Sequence, residues 1–500
     1  MTGPTLVSDL VPFWSSREPE RIALIEPARR WTYGELDGAI RATASWLSLS
    51  GVRPGDRVML VCENCCAAVA VFLACTAIRA WPVIVNARLS EREVDEIAGH
   101  SGARRIVFTT SVSPRASAHA ERVGASLSDP AGFGAVGLSP LNERCMPEPP
   151  ETAPEQNVAA LIYTSGTTGK PKGVMLSHAN LMFVARASGA ARALTPDDRV
   201  YAALPVSHIL GLTGVLLGSL LYGASVQLVS RFDPAAALGA LAEGLSVMIG
   251  TPSMYAMIAE YASRKRLAPV AGPRLRLISS AGAPLDAATK GVAEAAFGQT
   301  LHNGYGITEC APTITLTALD APRGDCGIGR LLPGIEARLD GSDPGELLVR
   351  SPGVMKGYYR APEETAAVID GEGWFRTGDL ARFADGSWFI VGRAKEMIIR
   401  FGFNVYPAEI EGVLNAHPAV ARSAVIGRRR DGSEEIVAFI DPAPGSTATP
   451  AQLADFAASK LAPYKRPSEI LLMPNLPLSP AGKVLKSELV ALAERLAPAA

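Results

Sequence analysis

The stretch YTSGTTGKPKG, which runs from Tyr163 to Gly173, concentrates side chains that can bind an anion. Glycines let the backbone fold so that several N–H groups point to one centre, while hydroxyl and ammonium groups add donors and positive charge. The spacing differs from the G-x-x-x-x-G-K-[ST] pattern of a Walker A loop, and Pro171 has no N–H to donate. Composition alone favours a solvated loop, so the choice between a linker and a phosphate site depends on the rest of the chain.

Three other residues could take part in catalysis, although each has an ordinary interpretation when it is taken alone. His208 stands in an apolar segment, where a histidine usually belongs to the core. Asp379 stands in TGDL, where an aspartate often closes a turn on its own backbone. Lys483 stands in SPAGKV, where a lysine usually lies at the surface of a hairpin. Only agreement among several motifs outweighs these interpretations.

Six further segments agree with the same interpretation, because they follow one another along the chain in the order of a known set of motifs. They are WTYGEL (31–36), LPVSHILGL (204–212), NGYGITECAP (303–312), GWFRTGDLA (373–381), GRAKEMIIRFGFNVYPAEIE (392–411) and PLSPAGKVLK (477–486). Together with YTSGTTGKPKGVMLSH (163–178), they resemble the motifs of the acyl-adenylate-forming superfamily, which includes acyl-CoA synthetases and peptide-synthetase adenylation domains. The resemblance covers essentially the whole chain, and it implies an enzyme that uses ATP, Mg²⁺ and coenzyme A.

The resemblance also implies roles for individual residues. The residues expected at the β- and γ-phosphates of ATP, or in the loop that holds them, are Thr164, Ser165, Gly166, Thr167, Thr168, Gly169 and Lys172. Those expected at the adenine and ribose are Asn303, Gly304, Tyr305 and Gly306, with Asp379 accepting the ribose hydroxyls and Arg393 donating nearby. The expected catalytic residues are Thr308 at the α-phosphate, Glu309 as the Mg²⁺ ligand, His208 in the acyl pocket, and Lys483 between the α-phosphate and the substrate carboxylate.

These residue types suit the implied chemistry. A carboxylate is a poor electrophile, and its anhydride with AMP provides a good leaving group. Attack on the α-phosphate spreads negative charge that donors, a lysine and Mg²⁺ stabilise. For the second step, the resemblance implies that the C-terminal domain rotates about a hinge at Lys395, and that the pantetheine arm of CoA passes Gly402.

The acyl pocket implied by the resemblance is small and apolar. Its expected residues are His208, Leu210, Gly211, Ala281, Gly282, Ala283, Ile307, Ala311 and Pro312. An aliphatic or aromatic monocarboxylate fits such a lining. No acidic residue is evident for an amino group, and no arginine is evident for a second carboxylate. The motifs look especially like those of bacterial fatty-acid–CoA ligases and 4-coumarate-type ligases.

Two other functions remain open from the sequence. A single C-terminal unit without a carrier domain favours free CoA as the acceptor, but an adenylating enzyme that loads the phosphopantetheine of a carrier protein is the main alternative. A nucleotide-binding protein that has lost catalysis is a remote third, and the presence of Lys483 counts against it.

The elements that must position these residues indicate an α/β protein. Short apolar runs such as RVMLVC (57–62) and PVIVN (82–86) alternate with Ala-rich helical segments, which predicts parallel sheets covered on both faces. We expect a large N-terminal domain over residues 1–394, with two doubly wound αβ layers and a small β-barrel. A smaller, mobile α+β lid domain that carries the catalytic lysine is expected over residues 395–500.

The composition limits the possible binding partners and favours one cellular compartment. A net charge of −1 over 500 residues gives no general attraction to nucleic acid or to an anionic membrane. The uncharged stretch from Ile209 to Val229 is interrupted by glycines and polar residues, so we expect a buried helix leading into a core strand and no stable membrane insertion. The N-terminal residues do not resemble a signal peptide, and seven cysteines are expected as reduced thiols, which favours the cytoplasm. The oligomeric state is left open.

Overall fold

The computed structural model describes residues 3–165, 171–267, 270, 272–341, 343–400, 403–430, 433–478 and 484–496. For residues 165, 430 and 433 it describes the backbone alone.

The helices and strands alternate through most of the chain. Residues 3–165 contain strands β1 (Ile22–Ile25), β2 (Arg30–Thr32), β3 (Arg57–Cys62), β4 (Trp81–Asn86), β5 (Arg105–Phe108), β6 (Ser126–Ser128), β7 (Val136–Leu138) and β8 (Val158–Ser165), and helices α1 (Leu10–Ser15), α2 (Tyr33–Leu49), α3 (Cys66–Ala77), α4 (Glu91–Ser101) and α5 (Pro114–Arg122). Residues 171–341 contain strands β9 (Pro171–Ser177), β10 (Arg199–Ala202), β11 (Ser225–Leu228), β12 (Val247–Gly250), β13 (Leu277–Ser280), β14 (Leu301–Gly306), β15 (Thr313–Leu316), β16 (Arg330–Leu331) and β17 (Glu336–Asp340), and helices α6 (His178–Ala191), α7 (Gly218–Leu221), α8 (Pro234–Ala242), α9 (Pro252–Lys265) and α10 (Ala287–Phe297). Residues 343–496 contain strands β18 (Gly345–Arg350), β19 (Gly357–Tyr358), β20 (Phe375–Ala384), β21 (Ser387–Arg393), β22 (Ile398–Arg400), β23 (Phe403–Val405), β24 (Val420–Arg430), β25 (Ser433–Pro442) and β26 (Glu469–Leu472), and helices α11 (Pro362–Ala366), α12 (Pro407–Asn415), α13 (Pro450–Ala458) and α14 (Lys486–Leu496).

The first large sheet has eight strands in the order β19-β9-β8-β4-β3-β5-β7-β6. Its centre is parallel, because β3 pairs in parallel with β4 and β5, and β4 pairs in parallel with β8. Every residue of β3 is buried, as expected for an apolar run between two covered faces. The strands on either side of the predicted phosphate loop, β8 and β9, form an antiparallel pair.

The second large sheet has nine strands in the order β16-β15-β14-β13-β12-β10-β11-β1-β2. Its central strands, from β14 through to β1, are parallel, and the strands at both edges are antiparallel. The predicted nucleotide motif at residues 303–306 thus forms the end of β14, next to the antiparallel strand β15.

Helices separate and cover the two sheets. The largest core combines residues of both sheets with α3 and α6, and all residues of α3 except the last are buried, which suits a helix that is apolar on every side. Helices α8, α9 and α10 form a second core with the nine-stranded sheet, and α4 and α5 form a third with the eight-stranded sheet. The predicted pair of doubly wound αβ layers is confirmed.

Two smaller units complete the fold. Where the sequence predicted a small β-barrel, the structure has a four-stranded antiparallel sheet in the order β17-β18-β20-β21. The C-terminal unit combines the sheet β24-β25-β26 and the hairpin β22-β23 with α12, α13 and α14, and it has cores of its own. The large N-terminal and small C-terminal domains of the prediction are therefore present.

The uncharged stretch is buried, as predicted. It consists of a π-helical segment, Leu210–Leu217, followed by α7 and then β11. None of the helices in the described part of the chain has the length and apolar character needed to cross a membrane.

All seven cysteines are free thiols, and six of them are buried. Four lie in or next to α3, namely Cys62, Cys65, Cys66 and Cys75. Burial raises the pKa of each of these four thiols, for Cys65 to about 12. These cysteines are therefore protonated packing residues at neutral pH.

Candidate active site

A buried carboxylate joins the end of the nine-stranded sheet to the small antiparallel sheet. Asp379 on β20 lies directly opposite Arg393 on β21, and only 3% of Asp379 is exposed. The Arg393 Nε atom lies 3.1 Å from Asp379 Oδ1, and the Tyr305 hydroxyl on β14 donates to Asp379 Oδ2 at 2.5 Å. Because both carboxylate oxygens have a donor, the negative charge is compensated and its orientation is fixed.

The hydrogen bond from Tyr305 has a defined direction. Burial, reinforced by the negative charge of Asp379, raises the pKa of the Tyr305 hydroxyl well above its usual value, so the tyrosine stays protonated and donates. An ionised carboxylate offers about four acceptor positions, so Asp379 can accept further hydrogen bonds from a ligand. The structure thus brings together three of the six residues predicted at the adenine and ribose, namely Tyr305, Asp379 and Arg393.

Glu309 lies in the short 3₁₀ turn Thr308–Cys310 that follows β14. The Tyr358 hydroxyl donates to Glu309 Oε1 at 2.9 Å, and the Met355 N–H donates to the Glu309 backbone oxygen at 2.8 Å. Burial and then the charge of Glu309 raise the pKa of Tyr358, which keeps this phenol a donor as well. The predicted metal ligand is thus held by a segment that the sequence analysis did not name.

The same tyrosine also contacts the predicted phosphate lysine. The Lys172 ammonium lies 4.9 Å from the centre of the Tyr358 ring, and it forms an ion pair with Glu364 on α11. Strand β19 brings Tyr358 to this position by pairing with β9, where Tyr358 lies opposite Val174. Tyr358 therefore connects Lys172 to Glu309.

The strands that flank the predicted phosphate loop pair with each other up to its two ends. Thr164 on β8 lies opposite Lys172 on β9, and Ser165 lies opposite Pro171. Gly166, Thr167, Thr168 and Gly169, together with the Ser165 side chain, are outside the described residues.

The predicted hinge carries positive charge towards the same site. Lys395 lies in the 3₁₀ turn Ala394–Glu396 directly after β21. Burial lowers the pKa of Lys395, and the positive charges of Arg393 and Lys172 lower it further. The carboxylates of Glu396 and Asp379 act on the same ammonium in the opposite sense. Two other predicted residues, Gly402 and Lys483, are outside the described residues.

Lys486, a few residues after the predicted catalytic lysine, was missed by the sequence analysis. Its ammonium lies 3.1 Å from Glu396 Oε2 and 2.8 Å from Glu411 Oε1. It therefore ties the start of α14 to the hinge turn and to α12. The only signal in the sequence is that Lys486 ends the motif PLSPAGKVLK.

The glycines of the NGYG motif allow close backbone approach. A Cβ atom on Gly306 would lie 2.1 Å from the Pro312 backbone oxygen, and one on Gly304 would lie 2.5 Å from Leu316. The Asn303 side chain is engaged within the protein, since its Nδ2 donates to the Cys326 carbonyl at 3.1 Å and its Oδ1 accepts from the Gly304 N–H at 3.0 Å. These contacts fix Asn303 and both glycines at the end of β14, the strand that presents Tyr305; their contact with nucleotide stays a prediction.

A cavity of about 230 Å³ lies beside His208. Of the predicted acyl-pocket residues, His208, Leu210 and Gly282 line it. Gly211 is a packing residue, because a Cβ atom there would lie 2.2 Å from the Pro205 carbonyl oxygen. The other predicted pocket residues, all of them described, are outside this lining: Ala281, Ala283, Ile307, Ala311 and Pro312.

The cavity also has two charged residues that the sequence analysis did not identify. Glu63 follows β3 and Arg88 follows β4, and both line the cavity. Arg88 Nε lies 2.9 Å from Glu63 Oε1, and Arg88 Nη2 donates to the Ser230 carbonyl at 2.7 Å. The positions of these residues, after neighbouring parallel strands, were the available signal, because such strand ends meet at one edge of a sheet.

Comparison with known families identifies the chain. Residues 13–359 match the AMP-binding enzyme family, and residues 409–483 match the AMP-binding enzyme C-terminal domain. The chain belongs to the AMP-binding enzyme family.

Relatives of this AMP-binding enzyme share nearly its whole length. A feruloyl-CoA synthase from Amycolatopsis sp is 35% identical, over 94% of this chain and 95% of that protein. The 4-coumarate–CoA ligase 5 of Oryza sativa subsp. japonica is 33% identical, over 94% of this chain and 91% of that protein. Among solved structures, ATP-bound MatB from Rhodopseudomonas palustris has a TM-score of 0.85 at 29% identity, over 97% of this chain and 99% of the other. An o-succinylbenzoate CoA synthetase from Bacillus subtilis in complex with ATP and magnesium has a TM-score of 0.82 at 27% identity, over 96% and 99%.

These similarities confirm the predicted class of this AMP-binding enzyme. It is an AMP-forming acid–thiol ligase whose substrates are a carboxylate, ATP and CoA.

The residues present in the AMP-binding enzyme suit Mg²⁺. Glu309 provides carboxylate oxygen, which a hard cation prefers, and the bond from Tyr358 restricts its orientation. The described residues contain no group of three or more His, Cys, Asp or Glu side chains that could hold a metal. A metal at Glu309 would therefore complete its coordination with phosphate and water oxygens, as Mg²⁺ commonly does.

Proposed function

We propose that this enzyme activates an aromatic monocarboxylate of the hydroxycinnamate type and transfers its acyl group to CoA. The observation that carries the proposal is the near full-length similarity to feruloyl-CoA synthases and 4-coumarate–CoA ligases. The small, apolar residues predicted for the acyl pocket favour an aromatic or aliphatic acid, and the relatives favour the aromatic one.

The charges beside His208 favour a substrate with a single carboxylate. Glu63 and Arg88 are the only acidic and basic residues in the lining of the described cavity, if the histidine is set aside. Since they form an ion pair with each other, the guanidinium is already compensated. A second carboxylate on the substrate would have to compete with Glu63 for Arg88.

We assign the adenylation step to the predicted site residues. The substrate carboxylate attacks the α-phosphate of ATP, the bond to the β-phosphate oxygen breaks, and pyrophosphate leaves. Lys172 stabilises the departing phosphates, while Asp379 and Tyr305 hold the adenosine so that the attack is in line. Mg²⁺ at Glu309 would offset charge on the phosphate oxygens when it is bound. Lys483 stabilises the charge that develops between the carboxylate and the α-phosphate.

The thioester step uses the same acyl site with a different domain arrangement. The thiolate of CoA attacks the acyl carbon, the bond to the phosphate oxygen breaks, and AMP leaves. We propose the domain boundary at 394/395 and the pivot at Lys395. The two family matches leave residues 360–408, which include this turn, between them. Rotation of residues 395–500 would then replace Lys483 by the pantetheine arm beside Gly402.

The proposed compartment is the cytoplasm. All seven cysteines are free thiols, which is the state expected where glutathione and thioredoxin keep thiols reduced. The full-length relatives are CoA ligases, so we also prefer free CoA to a carrier protein as the acyl acceptor.

Pyrophosphate release measured with a panel of acids tests the function. The panel contains ferulic, 4-coumaric, benzoic and medium-chain fatty acids, each with CoA, with a pantetheinylated carrier protein, or with neither. We expect the highest kcat/KM for the hydroxycinnamic acids and thioester formation with CoA. Preference for a fatty acid would overturn the aromatic assignment, and transfer to the carrier protein alone would establish the alternative acceptor. Pyrophosphate release that does not depend on the carboxylate, or no pyrophosphate release with any acid of the panel, would contradict the proposed ligase activity.

The two half-reactions test Lys483. Lys483→Ala is expected to reduce pyrophosphate release at least a hundredfold while largely sparing thioester formation from supplied acyl-adenylate. Lys460→Ala removes an exposed lysine of the same domain and is the matched control. Equal loss of both half-reactions in Lys483→Ala would contradict the assigned role.

A further inference from the structure

The predicted phosphate lysine already has an anionic partner within the protein. The Lys172 side chain is 22% exposed and its ion-pair partner Glu364 is 48% exposed. The Tyr358 ring lies on another side of the same ammonium, 4.9 Å away. Lys172 is therefore compensated by one half-exposed carboxylate and one aromatic face.

The backbone around Glu364 is held in place by its own contacts. Thr365 Oγ1 accepts from the Tyr358 N–H at 2.9 Å and donates to the Ala361 carbonyl at 2.9 Å. Gly357 has a φ of +142°, and a Cβ atom there would lie 2.8 Å from Thr365 Cγ2. The short helix α11 is thus fastened to β19, which is itself paired with the strand that carries Lys172. The carboxylate can swing while its backbone stays beside the lysine.

We propose that Glu364 takes the place of an ATP phosphate at Lys172 when no nucleotide is bound. The inference rests on the proposed phosphate-binding role of Lys172. A carboxylate and a phosphate oxygen accept the same charge-assisted hydrogen bonds from an ammonium. Arrival of the polyphosphate repels the carboxylate, and since Glu364 is half-exposed, it can move into water at little cost.

The exchange has a consequence for product release. When pyrophosphate begins to leave, Glu364 competes for Lys172 and compensates it again. The carboxylate therefore weakens the binding of ATP and of pyrophosphate alike, and it shortens the time that pyrophosphate remains bound. Glu364 acts through Lys172 and is a positioning residue.

Calorimetric titration with Mg²⁺–pyrophosphate, without acid or CoA, tests the exchange. We expect Glu364→Gln to bind pyrophosphate about two- to fivefold more tightly than the wild type, the range set by a partly exposed ion pair. Glu363→Gln removes the same charge from the neighbouring exposed position of α11 and is the matched control. Its affinity is expected to stay within about 1.5-fold of the wild-type value, because the charge of an exposed side chain is screened by solvent and salt.

The double variant that combines Glu364→Gln with Lys172→Gln tests whether Glu364 acts through Lys172. If Glu364 acts through Lys172, Glu364→Gln has no further effect once the lysine is gone. Equal affinities in Glu364→Gln and Glu363→Gln, or weaker binding in Glu364→Gln, would overturn the proposal, as would a full effect that persists without the lysine. Carboxylate-dependent turnover of the wild type is measured separately, so that failure of the proposed function is distinguished from failure of this exchange.

Discussion

Replacing Tyr305 by phenylalanine tests how the buried carboxylate is oriented. The change removes the hydroxyl that donates to Asp379 Oδ2 at 2.5 Å and keeps the aromatic ring. Arg393 remains 3.1 Å from the other carboxylate oxygen, so the buried charge keeps a partner and the larger penalty of an unpaired ion does not apply. The expected cost is that of one hydrogen bond to a charged group, about 1.5–3 kcal/mol.

That cost should appear in recognition of the ribose. Suppose that Asp379 accepts the ribose hydroxyls and that Tyr305 orients the Asp379 carboxylate. If the whole cost of the lost hydrogen bond appears in AMP binding, the affinity for AMP decreases by roughly 10- to 150-fold. The readout is the ratio of the Kd values for 2′-deoxy-AMP and AMP, measured by calorimetry. The wild type should prefer AMP, and Tyr305→Phe should lose most of this preference because the carboxylate is no longer held in place.

Tyr222→Phe provides the matched control. It removes an exposed hydroxyl that donates to the Arg186 carbonyl at 3.0 Å, so AMP affinity and ribose preference should be unchanged. Equal weakening of AMP and 2′-deoxy-AMP in Tyr305→Phe would show that the hydroxyl acts through the adenine and not through Asp379. Unchanged binding of both nucleotides would refute the reasoning altogether.

Two further predictions concern the backbone and the pH dependence. In Gly306→Ala, the new Cβ atom would lie 2.1 Å from the Pro312 oxygen, so the end of β14 must shift. We expect at least a tenfold lower kcat/KM for pyrophosphate release, and an unchanged rate would contradict the close-approach argument. Burial lowers the pKa of His178 from its usual 6.5 to about 4. Between pH 6.5 and pH 4 the unfolded chain therefore binds a proton that the folded chain does not. As the pH is lowered through this range, the free energy of unfolding decreases by up to about 3 kcal/mol. In His178→Asn, whose amide oxygen can still accept from the Val7 N–H, urea unfolding across this range should lack that part of the slope; an identical slope would assign the effect to other groups.

Local patterns in the sequence predicted the layers of the fold well. The run RVMLVC is the whole of β3, because an uninterrupted apolar strand can be buried only between two covered faces. The boundaries at strand ends moved by one or two residues, as in the predicted strand 82–86, which begins at Trp81. The residue at which a strand begins or ends depends on its hydrogen bonds to neighbouring strands. The composition of a single strand does not indicate where those hydrogen bonds stop.

The site was predictable only where a motif named its residues. The pairing of Asp379 with Arg393 follows from a hairpin, but the third partner, Tyr305, comes from a strand that ends 73 positions earlier in the chain. The contacts of Tyr358 with Glu309 and Lys172 are produced by β19 pairing with β9, and no periodicity in either strand indicates that pairing. Long-range strand pairing therefore accounts for these two sets of contacts, which the sequence motifs did not indicate.

The burial of the cysteines has a chemical consequence for an enzyme that handles acyl-adenylates. Such an intermediate reacts with thiolates, and the thiolate of CoA is the intended nucleophile. The thiols around α3 are inaccessible, and their raised pKa values keep them protonated. Cys310, next to Glu309, is also buried with a raised pKa. The buried sulfur atoms around α3 and at Cys310 are thereby kept from competing with CoA for the acyl group, by the same packing that joins the two sheets.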